Sequence, residues 1–153
     1  MPSSRFVRSG GIFLGVVLAA SGCISNTSGE LDTFAGEWCT LRGLGADALP
    51  VPGVAYVGMT LFEQAGMEVT GSGSTSRPAS DTLFPARYFG VISGGVAEIT
   101  VTDLDELTEN PGPQFVMALR GDGDRDLVGT MSGDPDFNGP IHLVRLGPRC
   151  FLE

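Results

Sequence analysis

Apolar and polar residues alternate along most of this chain with a period of two, the spacing of a strand that buries one face. Met67-Glu68-Val69-Thr70-Gly71-Ser72, Ala97-Glu98-Ile99-Thr100-Val101-Thr102 and Leu127-Val128-Gly129-Thr130-Met131-Ser132 carry the pattern most cleanly. Extended along the chain, it predicts about eight strands, at 36–42, 55–64, 67–73, 85–93, 96–102, 114–120, 126–132 and 140–147. Glycine or proline interrupts every window long enough for a helix, and no helical stripe emerges. Ala65-Gly66, Gly94-Gly95 and the Gly121–Arg125 segment read as tight hairpin turns, where glycine supplies the positive φ that short hairpins need. Longer connectors fall between the hairpins, at 43–54, 74–84, 103–113 and 133–139. In an up-and-down meander the tight turns gather at one end and the long connectors at the other. The predicted fold is all-β, a single up-and-down antiparallel barrel of about eight strands.

Alternation also assigns faces. Met67, Val69, Ala97, Ile99, Val101, Phe115, Met117, Leu119, Leu127 and Met131 fall on the inner face, and Gly71 and Gly129 leave room beside them. An eight-stranded interior is just wide enough to be filled by side chains or to hold one small molecule. Trp38, Met67, Val69, Phe115, Met117 and Met131 are the candidate lining of an apolar ligand site. Methionine suits a packed core and an adaptable pocket equally.

Ahead of the first strand, Arg5 and Arg8 precede the apolar run Ile12–Ala20. A run of about nine residues fits the core of a secretion signal, whereas spanning a bilayer takes about 20. Leu18-Ala19-Ala20-Ser21-Gly22-Cys23 follows, and it resembles a bacterial lipobox. That resemblance implies that residues 1–22 are removed and that Cys23 carries acyl chains, palmitate among them. Residues 23–34 are then the lipidated cysteine and a polar tether, and 35–153 the barrel domain. An ordinary secretory leader and an uncleaved anchor are the alternatives. Ile24, standing where an aspartate would favour inner-membrane retention, points within the same resemblance to the outer membrane. Several acyl chains hold a protein far more firmly than one.

Loss of the leader leaves about 131 residues, enough for one domain and one core. Seven arginines then face 18 acidic residues, a charge of −11, and the chain has no lysine. Such a surface has no electrostatic route to nucleic acid. It is also repelled by anionic headgroups, so the tether and not charge must hold the domain at a membrane. With Cys23 lipidated, Cys39 and Cys150 remain, near opposite ends of the domain in an oxidising compartment. A Cys39–Cys150 disulfide is expected, placing the first and last strands side by side; the alternative is two buried thiols.

Gly36-Glu37-Trp38 lies on the first predicted strand, and here the chain resembles the lipocalin and avidin barrels. The resemblance implies that Trp38 plugs the closed end and that an arginine from the last strand region, Arg145 or Arg149, packs on it. Trp38 is the only tryptophan, so the several biotin-stacking indoles of avidins cannot all be present.

Few constellations suggest chemistry. Asp134-Pro135-Asp136-Phe137-Asn138-Gly139 matches the opening of a calcium-binding loop, but Arg145 stands where the bidentate glutamate is needed. Asp134, Asp136 and Asn138 are therefore a weak calcium candidate. Asp122, Asp124 and Asp126 alternate in a hairpin predicted to lie at the other end. Asp103, Asp105, Glu106 and Glu109, with Asp47, Asp81, Asp134 and Asp136, form an acidic rim at the loop-bearing end, a solvated face or a gate for a cationic or neutral ligand. His142 is the only histidine and has neither a nucleophile elbow nor the partners a zinc site needs.

These features order three expectations, none with a cofactor. The first is a non-enzymatic, lipid-anchored envelope protein, lipocalin-like, that holds a small apolar molecule. The second is a structural or protein-interaction module with a filled core and an envelope protein partner. The third, ranked below both, is a hydrolase or isomerase that uses the acidic rim.

Overall fold

The computed structural model describes residues 31–104 and 114–153. Eight strands follow one another: β1 (Gly36–Thr40), β2 (Tyr56–Gln64), β3 (Glu68–Ser76), β4 (Phe84–Ser93), β5 (Val96–Asp103), β6 (Gln114–Asp122), β7 (Asp126–Asp134) and β8 (Phe137–Arg145). Each pairs antiparallel with its neighbours in sequence, and β1 pairs with β8, so the sheet closes into an up-and-down barrel.

Turn chemistry sets the even spacing. Ala65 and Gly66 (φ 50° and 65°) and Gly94 and Gly95 (φ 58° and 77°) place both turn residues in the left-handed region, whose twist matches that of the flanking strands. One connector departs from expectation. Residues 133–139 do not form a long loop, because β7 runs to Asp134, β8 begins at Phe137, and only Pro135 and Asp136 lie between them. A bulge between Met131 and Asp134 bends the strand, and the Asp134 carboxylate accepts the Asp136 N–H at 2.8 Å, completing the turn from a side chain. Phe137, expected in a loop, is consequently a fully buried core residue.

Barrel closure rests on a short seam, Trp38↔Arg145, Cys39↔Val144 and Thr40↔Leu143. Cys39 points outward and forms a disulfide with Cys150, which lies in the 3-10 turn Pro148–Cys150 just after β8. The Cα atoms are 5.8 Å apart and the bond links positions 111 residues apart. A loop of that size restricts the unfolded chain by about 4–5 kcal/mol in the chain-entropy account. Leu44, Tyr56 and Val144 bury themselves around the two cysteines as a small second core outside the wall.

The main core lies inside. Phe115 and Phe137 stack face to face with centroids 4.1 Å apart and planes 1° from parallel. Ile99, Val101, Met117, Leu119, Leu127 and Leu143 are fully buried in the same cluster. Gly71 and Gly129 do not open space there. An added Cβ at Gly129 would meet the Ala118 carbonyl oxygen, and one at Gly71 the Thr60 carbonyl oxygen. Both glycines let adjacent strands approach and coil tightly, and the room they free is taken by backbone.

Candidate functional site

The end bearing the tight hairpins is sealed from inside. Residues 31–35 cross it, held where the Glu63 carboxylate accepts the Thr33 hydroxyl (2.6 Å) and the Phe34 N–H (2.9 Å). The Trp38 indole N–H donates to the Phe34 carbonyl at 2.9 Å. Arg145 lies over the indole, its guanidinium carbon 3.9 Å from the ring centroid, and donates to the Ala35 carbonyl at 2.7 Å. Gly36 (φ 131°) leaves no room for a side chain, since a Cβ there would collide with the guanidinium. Of the two arginines the resemblance offered, Arg145 takes the place. A cation over an indole contributes about 0.5–2 kcal/mol and leaves no charge exposed inside the barrel.

At the opposite mouth, β3 carries Arg77 just beyond its last residue. Its guanidinium donates to Asp134 at 3.0 and 3.2 Å and to Asp136 at 2.6 Å, and lies 3.9 Å from Asp103. The Thr75 hydroxyl donates to Asp103 at 2.6 Å, and the Arg77 guanidinium carbon is 5.4 Å from the centre of the Phe137 ring. Asp103 and Asp134 are both buried, yet they titrate in opposite directions. Hydrogen bonding to Arg77 holds the Asp134 carboxyl below the usual carboxylate range, whereas burial pushes Asp103 above it. Two buried carboxylates with divergent affinities for protons are what an acid–base site requires. Here the Arg77 guanidinium lies between them, closer to Asp134 than to Asp103.

The two carboxylates of the calcium candidate have a partner within the chain. Asp134 and Asp136 do converge, but on Arg77, which supplies the positive charge a cation would bring. Asn138 stays exposed on the outer side of β8. Among the described residues, no group of three or more His, Cys, Asp or Glu is arranged to hold a metal ion.

On the outer wall, Asp126 accepts from both Arg149 (2.5 and 2.9 Å) and His142 (2.8 Å to Nε2). The hydrogen bond from Arg149 is the main cause of its lowered pKa. The cluster straps the C-terminal segment onto β7 and β8. A cleft of about 380 Å³ lies beside it, between the 41–55 connector and β8, with Leu41, Val54, Ala55, Ile141 and His142 in its walls.

Val69, Phe115, Met117 and Met131 point inward as expected, and Trp38 forms the floor. Met67 does not. It occupies the β2–β3 turn, its N–H bonded to the Gln64 carbonyl, and is 62% exposed. Alternation assigned it the right face, but the chain has already left the wall there. The remaining members thus line no cup; they fill the barrel against one another. Cys23 and the tether up to Glu30 lie outside the described residues, as do Asp105, Glu106 and Glu109 of the expected rim.

Alternation alone would have found part of the mouth. Val69, Gly71, Gly73, Thr75 and Arg77 share one parity on β3, as do Ala97, Ile99, Val101 and Asp103 on β5. Fold and sites together define a closed eight-strand up-and-down barrel, apolar inside and stoppered by an arginine at each end. No protein-family model, curated protein or solved structure matches the chain.

Proposed function

We propose that this chain is a lipid-anchored, non-enzymatic module of the cell envelope, with the lipocalin-like build but a filled barrel, so that it acts through its outer surface. The carrying observation is the interior itself: the Phe115–Phe137 stack and its fully buried neighbours occupy the volume a ligand would need. The Gly36–Trp38–Arg145 arrangement supports the lipocalin-like build, as does the closed up-and-down order of the eight strands. A membrane-spanning barrel has the reverse distribution, an apolar band outside and polar residues inside. Here the core is apolar and charges such as Glu68, Arg87 and Glu98 face outward.

The anchor in this reading is Cys23, acylated after removal of residues 1–22, and the address is the outer membrane of a two-membrane cell. The Cys39–Cys150 disulfide agrees with export to an oxidising compartment. Labelled palmitate should enter the chain and fail to enter a Cys23→Ser variant; equal incorporation would remove the anchor. Native mass spectrometry of the protein taken from the envelope in mild detergent should give the polypeptide plus its acyl chains. A further mass, lost on denaturation, would instead support a carried apolar molecule, for which the cleft beside His142 is one place outside the filled core.

A further inference from the structure

The closed end has two unlike sides. Around the β6–β7 hairpin it is charged, with Arg120, Asp122, Asp124 and Arg125 exposed. Around the other two hairpins large apolar side chains stand exposed among Gln64, Glu68 and Glu98. Met67 (62% exposed) and Val96 stand at their tips, and Phe62 (63%), Phe89 (55%) and Val91 (50%) cover the outer wall behind them. Strand pairing makes these residues neighbours: Phe62 and Phe89 flank Thr70 from either side, and Val91 lies between Glu68 and Glu98. Phe89, Val91 and Val96 share one shallow depression on the outer wall of β4 and β5.

The chain enters the domain on this same end. Leu31 packs at Gly121 and lines a cavity with Gly94, Gly95 and Val96. Only the seven residues Ile24–Glu30 separate Leu31 from Cys23. Fully extended, that stretch reaches about 28 Å, so the hairpin tips cannot lie far from an acylated Cys23, whereas the mouth is a barrel length further away.

We infer that the apolar side of the closed end, Met67 and Val96 at the tips with Phe62, Phe89 and Val91 behind them, rests in the headgroup layer of the membrane that holds the anchor. This rests on the lipid-anchor reading of Cys23. Glu68 and Glu98 flank Val91 and lie nearer the tips than Phe62 and Phe89, so the contact stays at headgroup level, where their carboxylates remain hydrated. The occupant is a zwitterionic surface, because an anionic one repels this acidic domain. Two attachment points, one covalent and one apolar, hold the barrel upright with its mouth away from the bilayer.

The test uses the full lipidated chain in phosphatidylcholine vesicles that contain brominated lipid, with a second indole introduced at either end. Met67→Trp places it at a hairpin tip and Leu83→Trp in the β3–β4 connector at the mouth, both at exposed positions. Fluorescence from Met67→Trp should lose its larger part to the brominated lipid, and that from Leu83→Trp should keep it. Adding phosphatidylglycerol at low salt should weaken the quenching at 67. If the protein floats with the vesicles and neither indole is quenched, docking is overturned while the anchor stands. If it does not float at all, the anchor reading fails and the docking with it. A position-67 crosslink to another protein in cells, with no lipid quenching, would overturn the membrane as occupant in favour of a protein partner.

Discussion

Each end of the barrel is stoppered by an arginine, and the two stoppers use opposite chemistry. At the closed end Arg145 lies on the Trp38 ring and bonds to a backbone carbonyl, so no partner of that cation can titrate in the ordinary range. At the mouth Arg77 is held by three aspartates, two of them buried, and each of these can lose its charge. The cation of one stopper is held by a ring and a backbone carbonyl, and that of the other by carboxylates. The difference follows from where the strands end. The closed end is crossed by residues 31–35, whose carbonyls are at hand, whereas the mouth receives strand termini that carry the acids.

The sharpest way to separate the two ends is to remove each stopper in turn. Trp38→Ala should cost about 3–5 kcal/mol in chemical denaturation, since it empties a buried aromatic position. That loss should be the same at pH 7 and pH 4, and a strongly pH-dependent loss would break the contrast. Arg77→Met leaves Asp103 and Asp134 buried without their cation. Breaking a fully buried pair costs about 3–5 kcal/mol, and the 27% exposure of the Arg77 side chain lowers the expectation to about 2–3. Unlike the Trp38 loss, this one should shrink as acid neutralises the aspartates.

The smallest effects divide the mouth itself. Asp134 has a lowered pKa, so its contribution is present above the ordinary aspartate value of about 3.9 and is lost as the pH falls through its folded value. Asp126, clamped by Arg149, behaves in the same way. Asp103 has a raised pKa, so the folded protein takes up its proton more readily than the unfolded chain, and stability gains as the pH falls through that raised value. Asp134→Asn should therefore destabilise at pH 7, by about 1–2 kcal/mol. Asp103→Asn should leave stability unchanged or raise it. Thermal melts of both variants at pH 7 and pH 4 decide this; losses of equal sign and size would show that the two carboxylates play one role.

Much of the barrel was legible because its information is local. Period-two alternation and glycine-marked hairpins located all eight strands, with most boundaries within two or three residues. Gly36-Glu37-Trp38 marked the closed end before the arginine that covers it could be chosen. Where the reading failed, one residue had changed the count. The bulge between Met131 and Asp134 turned an expected loop into the start of β8, brought Phe137 into the core and aimed Asp134 at Arg77. Met67 failed for a simpler reason, since parity names a face but not the point at which the wall ends.

Local pattern and turn chemistry thus determined strand number, order and facing, because hydrogen-bonded neighbours in a meander are also neighbours in sequence. Whether the barrel is hollow was decided only by tertiary structure. That outcome depends on how far the strands coil, and here Gly71 and Gly129 draw backbones together and leave the Phe115–Phe137 stack to fill the space. The charge network at the mouth is likewise tertiary. Arg77, Asp103 and Asp134 come from three strands, and closure of the sheet alone brings them within reach of one another.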